Sequence, residues 1–105
     1  MRRGEVYWGE LGPGFGRRPV VILSRSNAIP VLHSVTVAPV TRRVRRIGSE
    51  VPLGSDEGLP EPCVANCDNL ETASKSRLTR RIGTLSSEKL LALDRALRYA
   101  LGIRI

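Results

Sequence analysis

Hydrophobic and polar positions alternate in short runs along most of the chain, and only the last stretch carries a helical period. Glu5-Val6-Tyr7-Trp8 opens a first strand, expected over residues 4–10. Gly12-Pro13-Gly14-Phe15-Gly16 reads as a loop whose three glycines make it mobile and let its backbone approach a ligand. Phe15 in its middle is either an anchor under the loop or a flat surface for a base. Val20-Val21-Ile22-Leu23 is the clearest strand, expected over residues 19–24 and buried on both faces, with Pro19 where a missing N–H does least harm. After a turn at residues 26–30 comes Ser34-Val35-Thr36-Val37-Ala38-Pro39-Val40-Thr41, a strand that bends or reaches an edge at Pro39.

The second half of the chain is more broken. Four arginines within residues 42–46 resist packing and predict an exposed, mobile hairpin connection, loosely anchored by Val44 and Ile47. Short strands are expected at residues 50–53, 63–67 and 80–85, a loop at 54–62 and a helical turn at 74–78. The helix runs over residues 87–101, with Ser86 as N-cap, Glu88 in the first turn and Gly102 closing it in the left-handed region. Leu90, Leu93, Leu97, Ala100 and Leu101 form its apolar stripe. No repeat or linker divides the chain, so residues 1–105 are read as a single domain: mainly β, a small antiparallel barrel capped by a C-terminal helix.

Charge narrows the partner. Seventeen Lys+Arg stand against ten Asp+Glu, for a net charge of +7 and a pI near 10.7. Lys75 and Lys89 are the only lysines, so nearly all the positive charge sits on arginines, whose planar forks suit phosphate. Nucleic acid or another polyanion is the partner this implies, with an acidic protein as the alternative. No apolar run approaches the ~20 residues of a membrane span, and no signal peptide is evident, so no membrane partner is expected and the sequence suits the cytoplasm. Cys63 and Cys67 lie four residues apart in a predicted strand, ~13 Å along the backbone. A disulfide needs Cα atoms within ~7 Å, so they are read as buried free thiols.

Several chemistries are excluded by composition. One histidine, His33, rules out a two-histidine acid–base pair and is read as structural. No glycine-rich phosphate loop leads into a helix, and the carboxylates of residues 50–61 do not form a spaced metal set, so neither metal nor cofactor is expected. What remains is an arginine at the start of one buried strand, Arg18, and a hydroxyl at the end of the next, Thr41, which together suit a phosphate. An RNA substrate would bring its own 2′-OH as nucleophile, leaving the protein to orient the chain, move protons and stabilise charge on phosphorus. Arginine is a poor base, so the general base is the weak point of this scheme.

In order and spacing, several segments resemble the MazF/PemK family of toxin endoribonucleases. They are Arg3-Gly4-Glu5-Val6-Tyr7-Trp8, Arg17-Arg18-Pro19-Val20-Val21-Ile22-Leu23-Ser24 and Val37-Ala38-Pro39-Val40-Thr41. Asn66-Cys67-Asp68-Asn69-Leu70-Glu71-Thr72, Lys75-Ser76-Arg77-Leu78 and Gly83-Thr84-Leu85-Ser86 continue the match into the closing helix. The resemblance implies an SH3-like barrel working as a homodimer, with an RNA groove at the dimer interface. It implies metal-independent, sequence-specific cleavage of single-stranded RNA through a 2′,3′-cyclic phosphate, neutralised by a cognate acidic antitoxin. Arg18 would then act in proton transfer and charge stabilisation, and Thr41 would hold the phosphate. The Gly12 to Gly16 loop is shorter than in the better-known members and the 42–46 cluster denser, which bears on the sequence cut.

Around the catalytic pair, Arg17 is read as a flanking phosphate contact and Arg42, Arg43, Arg45 and Arg46 as RNA contacts. Asn69 and Glu71 meet bases, the dimer partner or only their own turn. Lys75 and Arg77, with Arg80 and Arg81, extend the basic track or are plain surface. Two other functions share these features: a gyrase-inhibiting toxin on the same barrel, and a non-catalytic SH3-like RNA-binding module.

Overall fold

A computed structural model describes residues 1–104. Seven strands and one helix follow each other: β1 Glu5–Glu10, β2 Arg17–Ile22, β3 Ser34–Thr41, β4 Glu50–Leu53, β5 Cys63–Asn66, β6 Glu71–Ser74, β7 Leu78–Thr84 and α1 Ser87–Leu101. The strands form one antiparallel sheet in the order β4-β5-β3-β2-β1-β7, with β6 also on β3.

β3 is the pivot of this sheet. Along one edge it pairs with β2, from Ile22↔Val37 to Val20↔Pro39. Along the other edge β6 covers its first half, Ser34↔Ser74 to Val37↔Glu71, and β5 takes over at Val40↔Ala65 and Thr41↔Val64. Pro39 falls in the gap between these two partners, which is where a residue without an N–H fits a central strand. The change of partner curls the sheet, but β4 and β7 stay unpaired to each other among the described residues. The predicted barrel is thus an open, curved sheet.

β2 feeds two cores. Val21 points into the larger one, with Val6, Ala38, Val51, Ala65 and Leu93 of α1. Val20 and Ile22 point into the smaller one, with Ile29, Val35, Val37 and Ala73. All three are fully buried, as the unbroken apolar run requires, and each such side chain contributes about 1.5–3 kcal/mol. β2 begins two residues earlier than expected, because Glu10↔Arg17 still pairs across the first hairpin. Its loop is folded on itself: the Gly16 amide donates to the Gly12 carbonyl at 2.8 Å, and Gly12, Gly14 and Gly16 take positive φ.

α1 has the predicted limits. The Ser86 side chain accepts the Lys89 amide, and Gly102 closes the helix at φ +69°. Leu93 and Ala96 are buried and the helix packs on β4, but Leu101 is 56% exposed and drops out of the predicted stripe. The apolar period continues to the end of the helix; the surface that would cover it does not. No helix among the described residues is long and apolar enough to cross a membrane.

One close approach seats a segment that the site uses. A Cβ at Gly83 of β7 would lie 2.2 Å from the Glu57 carbonyl oxygen. Only a glycine lets the short helical turn Ser55–Glu57 press onto β7, and the Glu57 carboxylate, itself buried, accepts the Gly54 amide at 2.7 Å. Gly58-Leu59-Pro60-Glu61 leaves this contact and runs beside the end of the sheet.

Candidate active site

A cleft of about 660 Å³ opens where β2 enters and β3 leaves the sheet, with Gly58-Leu59-Pro60-Glu61 as its opposite wall. Arg17, Arg18, Thr41, Arg42 and Arg43 all line it, so residues 24 apart in sequence meet at one place. The register explains why. The β2–β3 pairs run Ile22↔Val37, Val21↔Ala38, Val20↔Pro39, so the start of β2, with Arg18, and the end of β3, with Thr41, leave the ladder at the same end of the sheet.

Each member of this pair is held by backbone. Arg18 Nε donates to the Phe15 carbonyl at 2.9 Å, a bond that engages neither terminal nitrogen of the guanidinium. Thr41 Oγ1 accepts the Arg43 amide at 3.1 Å, which leaves its O–H as a donor. A held guanidinium and a held hydroxyl lining one cleft are donors suited to an anion. Phe15 is half-buried, and its carbonyl is what orients Arg18.

Three further groups complete the cleft. Trp8 is half-buried on β1 and lies between Pro19 of β2 and Arg80 of β7, its directly paired neighbours. The Arg17 guanidinium stacks on the indole, 5.1 Å from its centroid. Glu61 accepts from Arg42 at 2.7 Å across the mouth, and this bond raises Arg42 above its ordinary pKa. With side chains 76% and 57% exposed, that pair is solvated and weak. The Cys63 thiol in the wall is raised by burial and by Glu57, and Cys67 in the larger core is pushed up to about 11 by burial and by Asp68. Both thiols are free, buried and protonated near neutrality.

The other named residues lie off the cleft. The Arg45 and Arg46 amides both donate to the Glu50 carboxylate, at 2.9–3.1 Å, so the exposed arginine loop is tethered to β4. Asn69 is exposed in the turn after β5, and Glu71 pairs with Val37. Lys75 Nζ donates to the Ile29 carbonyl at 2.7 Å and so joins two turns of the chain. Arg77 reaches the Glu10 carbonyl at 3.3 Å, near the first hairpin. His33 is exposed at the opposite end of β3 from Thr41 rather than built into the interior. Sequence reasoning did not single out Trp8 or Glu61. Trp8 follows Val6 at strand spacing and reads as core, and Glu61 lies in a loop whose placement depends on Gly83.

An open antiparallel sheet, one C-terminal helix and an arginine-lined cleft holding Arg18 and Thr41 define a small, basic, mainly β protein. Residues 2–101 match the profile described as "PemK-like, MazF-like toxin of type II toxin-antitoxin system", and the chain belongs to that family. It is 44% identical over 100 residues to the probable endoribonuclease MazF5 of Mycobacterium tuberculosis, covering 93% of this chain and 90% of the relative. The solved Mycobacterium tuberculosis toxin MazF-mt6 superposes with a TM-score of 0.90 at 37% identity, over 96% of this chain and 99% of that one. A mycobacterial endoribonuclease solved in complex with its cognate antitoxin superposes at 0.87 with 28% identity, over 100% and 98%.

Proposed function

We propose that the protein is the endoribonuclease toxin of a type II toxin–antitoxin module, cutting single-stranded RNA at a specific sequence without a metal. The observation that carries this reading is the convergence of Arg18 and Thr41 on the wall of one arginine-lined cleft. The substrate's 2′-oxygen attacks phosphorus and loses its proton. The bond to the 5′-oxygen breaks, that oxygen takes up a proton, and a 2′,3′-cyclic phosphate remains. Arg18 stabilises the charge developing on the phosphoryl oxygens and assists proton transfer, while Thr41 donates its O–H to one of those oxygens. The cleft supports a metal-free route through its donor set: its one carboxylate, Glu61, is already paired with Arg42.

Arg17, Arg42 and Arg43 hold the flanking backbone, and exposed Arg45, Arg46, Asn69 and Arg77, with Lys75, extend the track. The domain of residues 1–105 works as a homodimer in the cytoplasm, and an acidic antitoxin competes for the same arginines. The relatives' names as endoribonucleases, and the antitoxin complex of one of them, support this assignment.

Purified protein incubated with RNA in EDTA should give cuts at one short sequence, with 2′,3′-cyclic and 5′-OH ends. Arg18→Ala should lower the rate at least a hundredfold while leaving the circular dichroism spectrum intact. Cleavage that requires a divalent metal would overturn the mechanism.

A further inference from the structure

We infer that Trp8 is the platform on which a base beside the scissile phosphate stacks, and that Arg17 is the cover this base displaces. The inference rests on the RNA-cleaving reading of the cleft. Trp8 is the chain's sole tryptophan, and β1 fixes its position: Val6 ahead of it is fully buried, Gly9 after it is buried, and Trp8 itself is half-exposed into the cleft. Pro19 and Arg80 are its paired neighbours on the two adjoining strands, and the Arg17 guanidinium lies over the indole.

Arg17 is next in sequence to Arg18, which lines the cleft with Thr41. A phosphate cradled by Arg18 and Thr41 therefore places one of its neighbouring nucleotides within reach of Trp8. A solvent-exposed cation–π contact is weaker than the stacking of a base on an aromatic ring. A base entering the cleft thus outcompetes the Arg17 guanidinium for the indole face. The released guanidinium is then adjacent to the incoming phosphodiester and can bind it as a fork. One event seats a base and recruits a second arginine to the backbone. Every base has a π-face, so stacking alone tolerates sequence, while Arg80 and Glu61 at the rim offer a donor and an acceptor to the base edge.

The lone tryptophan makes the test direct. Wild-type protein is titrated with a short single-stranded RNA pool and with the cut sequence carrying a 2′-deoxy residue at the cleaved position, while indole emission is recorded. Saturable quenching is expected, and an oligomer abasic at the stacked position should bind about tenfold more weakly without quenching. Trp8→Leu should raise KM about tenfold or more with kcat within about threefold, and Trp8→Phe should recover most of the loss. Because the wild-type titration needs no variant, a poorly folding Trp8→Leu leaves the inference testable. RNA cleavage with unquenched Trp8 and an unchanged KM in Trp8→Leu overturns the inference and leaves the ribonuclease reading standing. Quenching by RNA without any cleavage supports the platform and overturns the ribonuclease reading.

Discussion

At the scale of single residues, the cleft holds one contact that works against its own function. Glu61 occupies the Arg42 fork at 2.7 Å, the fork that the proposed function assigns to a substrate phosphate or an antitoxin carboxylate. Glu61→Gln removes that competitor and raises the formal charge by one from +7. The variant should bind labelled single-stranded RNA severalfold more tightly at low salt, with the gain shrinking as salt screens the exposed pair. Equal affinity of variant and wild type across the salt range would remove Glu61 from the site. The buried thiols give a second residue-scale outcome. Cys67 is pushed up to about 11 from 9.0, so the unfolded chain releases this proton at lower pH than the folded one. This thiol's contribution to stability should be fully present below pH ~8 and be lost from pH ~9 to ~11 as the unfolded state binds fewer protons. Urea midpoints across this range should show the fall in wild type and a shallower one in Cys67→Ala. Both thiols were legible from strand spacing alone. Glu61 was not, since nothing near it in sequence says which arginine it meets.

At the scale of elements, legibility followed the strength of the apolar period. β3 and α1 carry long apolar patterns and fell where the residues put them, and β2 was recognised but lies two residues earlier than its apolar run suggests. β6 was missed because Glu71-Thr72-Ala73-Ser74 turns only Ala73 inward, and the strand is defined by its partner β3 rather than by its own composition. The same holds for the Arg18–Thr41 pair. The residues were named from the sequence, but their meeting at one cleft depends on strand pairing that the sequence does not show. Gly83 is where element packing controls the site, because its missing side chain admits the Ser55–Glu57 turn that carries the cleft's far wall. Gly83→Ala should destabilise the fold by about 1–3 kcal/mol through overpacking against backbone. It should also widen the cleft, so RNA cleavage should fall at temperatures where circular dichroism still reports a folded sheet. Full activity with an unchanged urea midpoint would mean that the turn yields freely.

At the scale of the whole molecule, positive charge is distributed beyond the cleft. Five arginines line it, Arg17, Arg18, Arg42, Arg43 and Arg80, against Glu61 as the one carboxylate. Arg45 and Arg46 add charge on a loop that their own amides tether to Glu50, outside the cleft's lining. Arginines that grip phosphates and arginines that only raise the surface potential differ in their thermodynamic signature. Each phosphate contact on a single strand releases condensed counterions and adds about −0.7 to the slope of log K against log salt. A surface charge that touches no phosphate leaves that slope nearly unchanged and alters chiefly the rate of encounter. Replacing Arg45 and Arg46 together by Gln should therefore flatten the slope by about 1.4 if the loop belongs to the RNA track. The cut position should not move, because backbone contacts carry no sequence information. Fluorescence anisotropy over a range of salt, with cut sites mapped on the same RNA, reads both outcomes. An unchanged slope would confine RNA binding to the cleft and leave the loop as a steering charge, whereas a shifted cut site would make its arginines readers of bases.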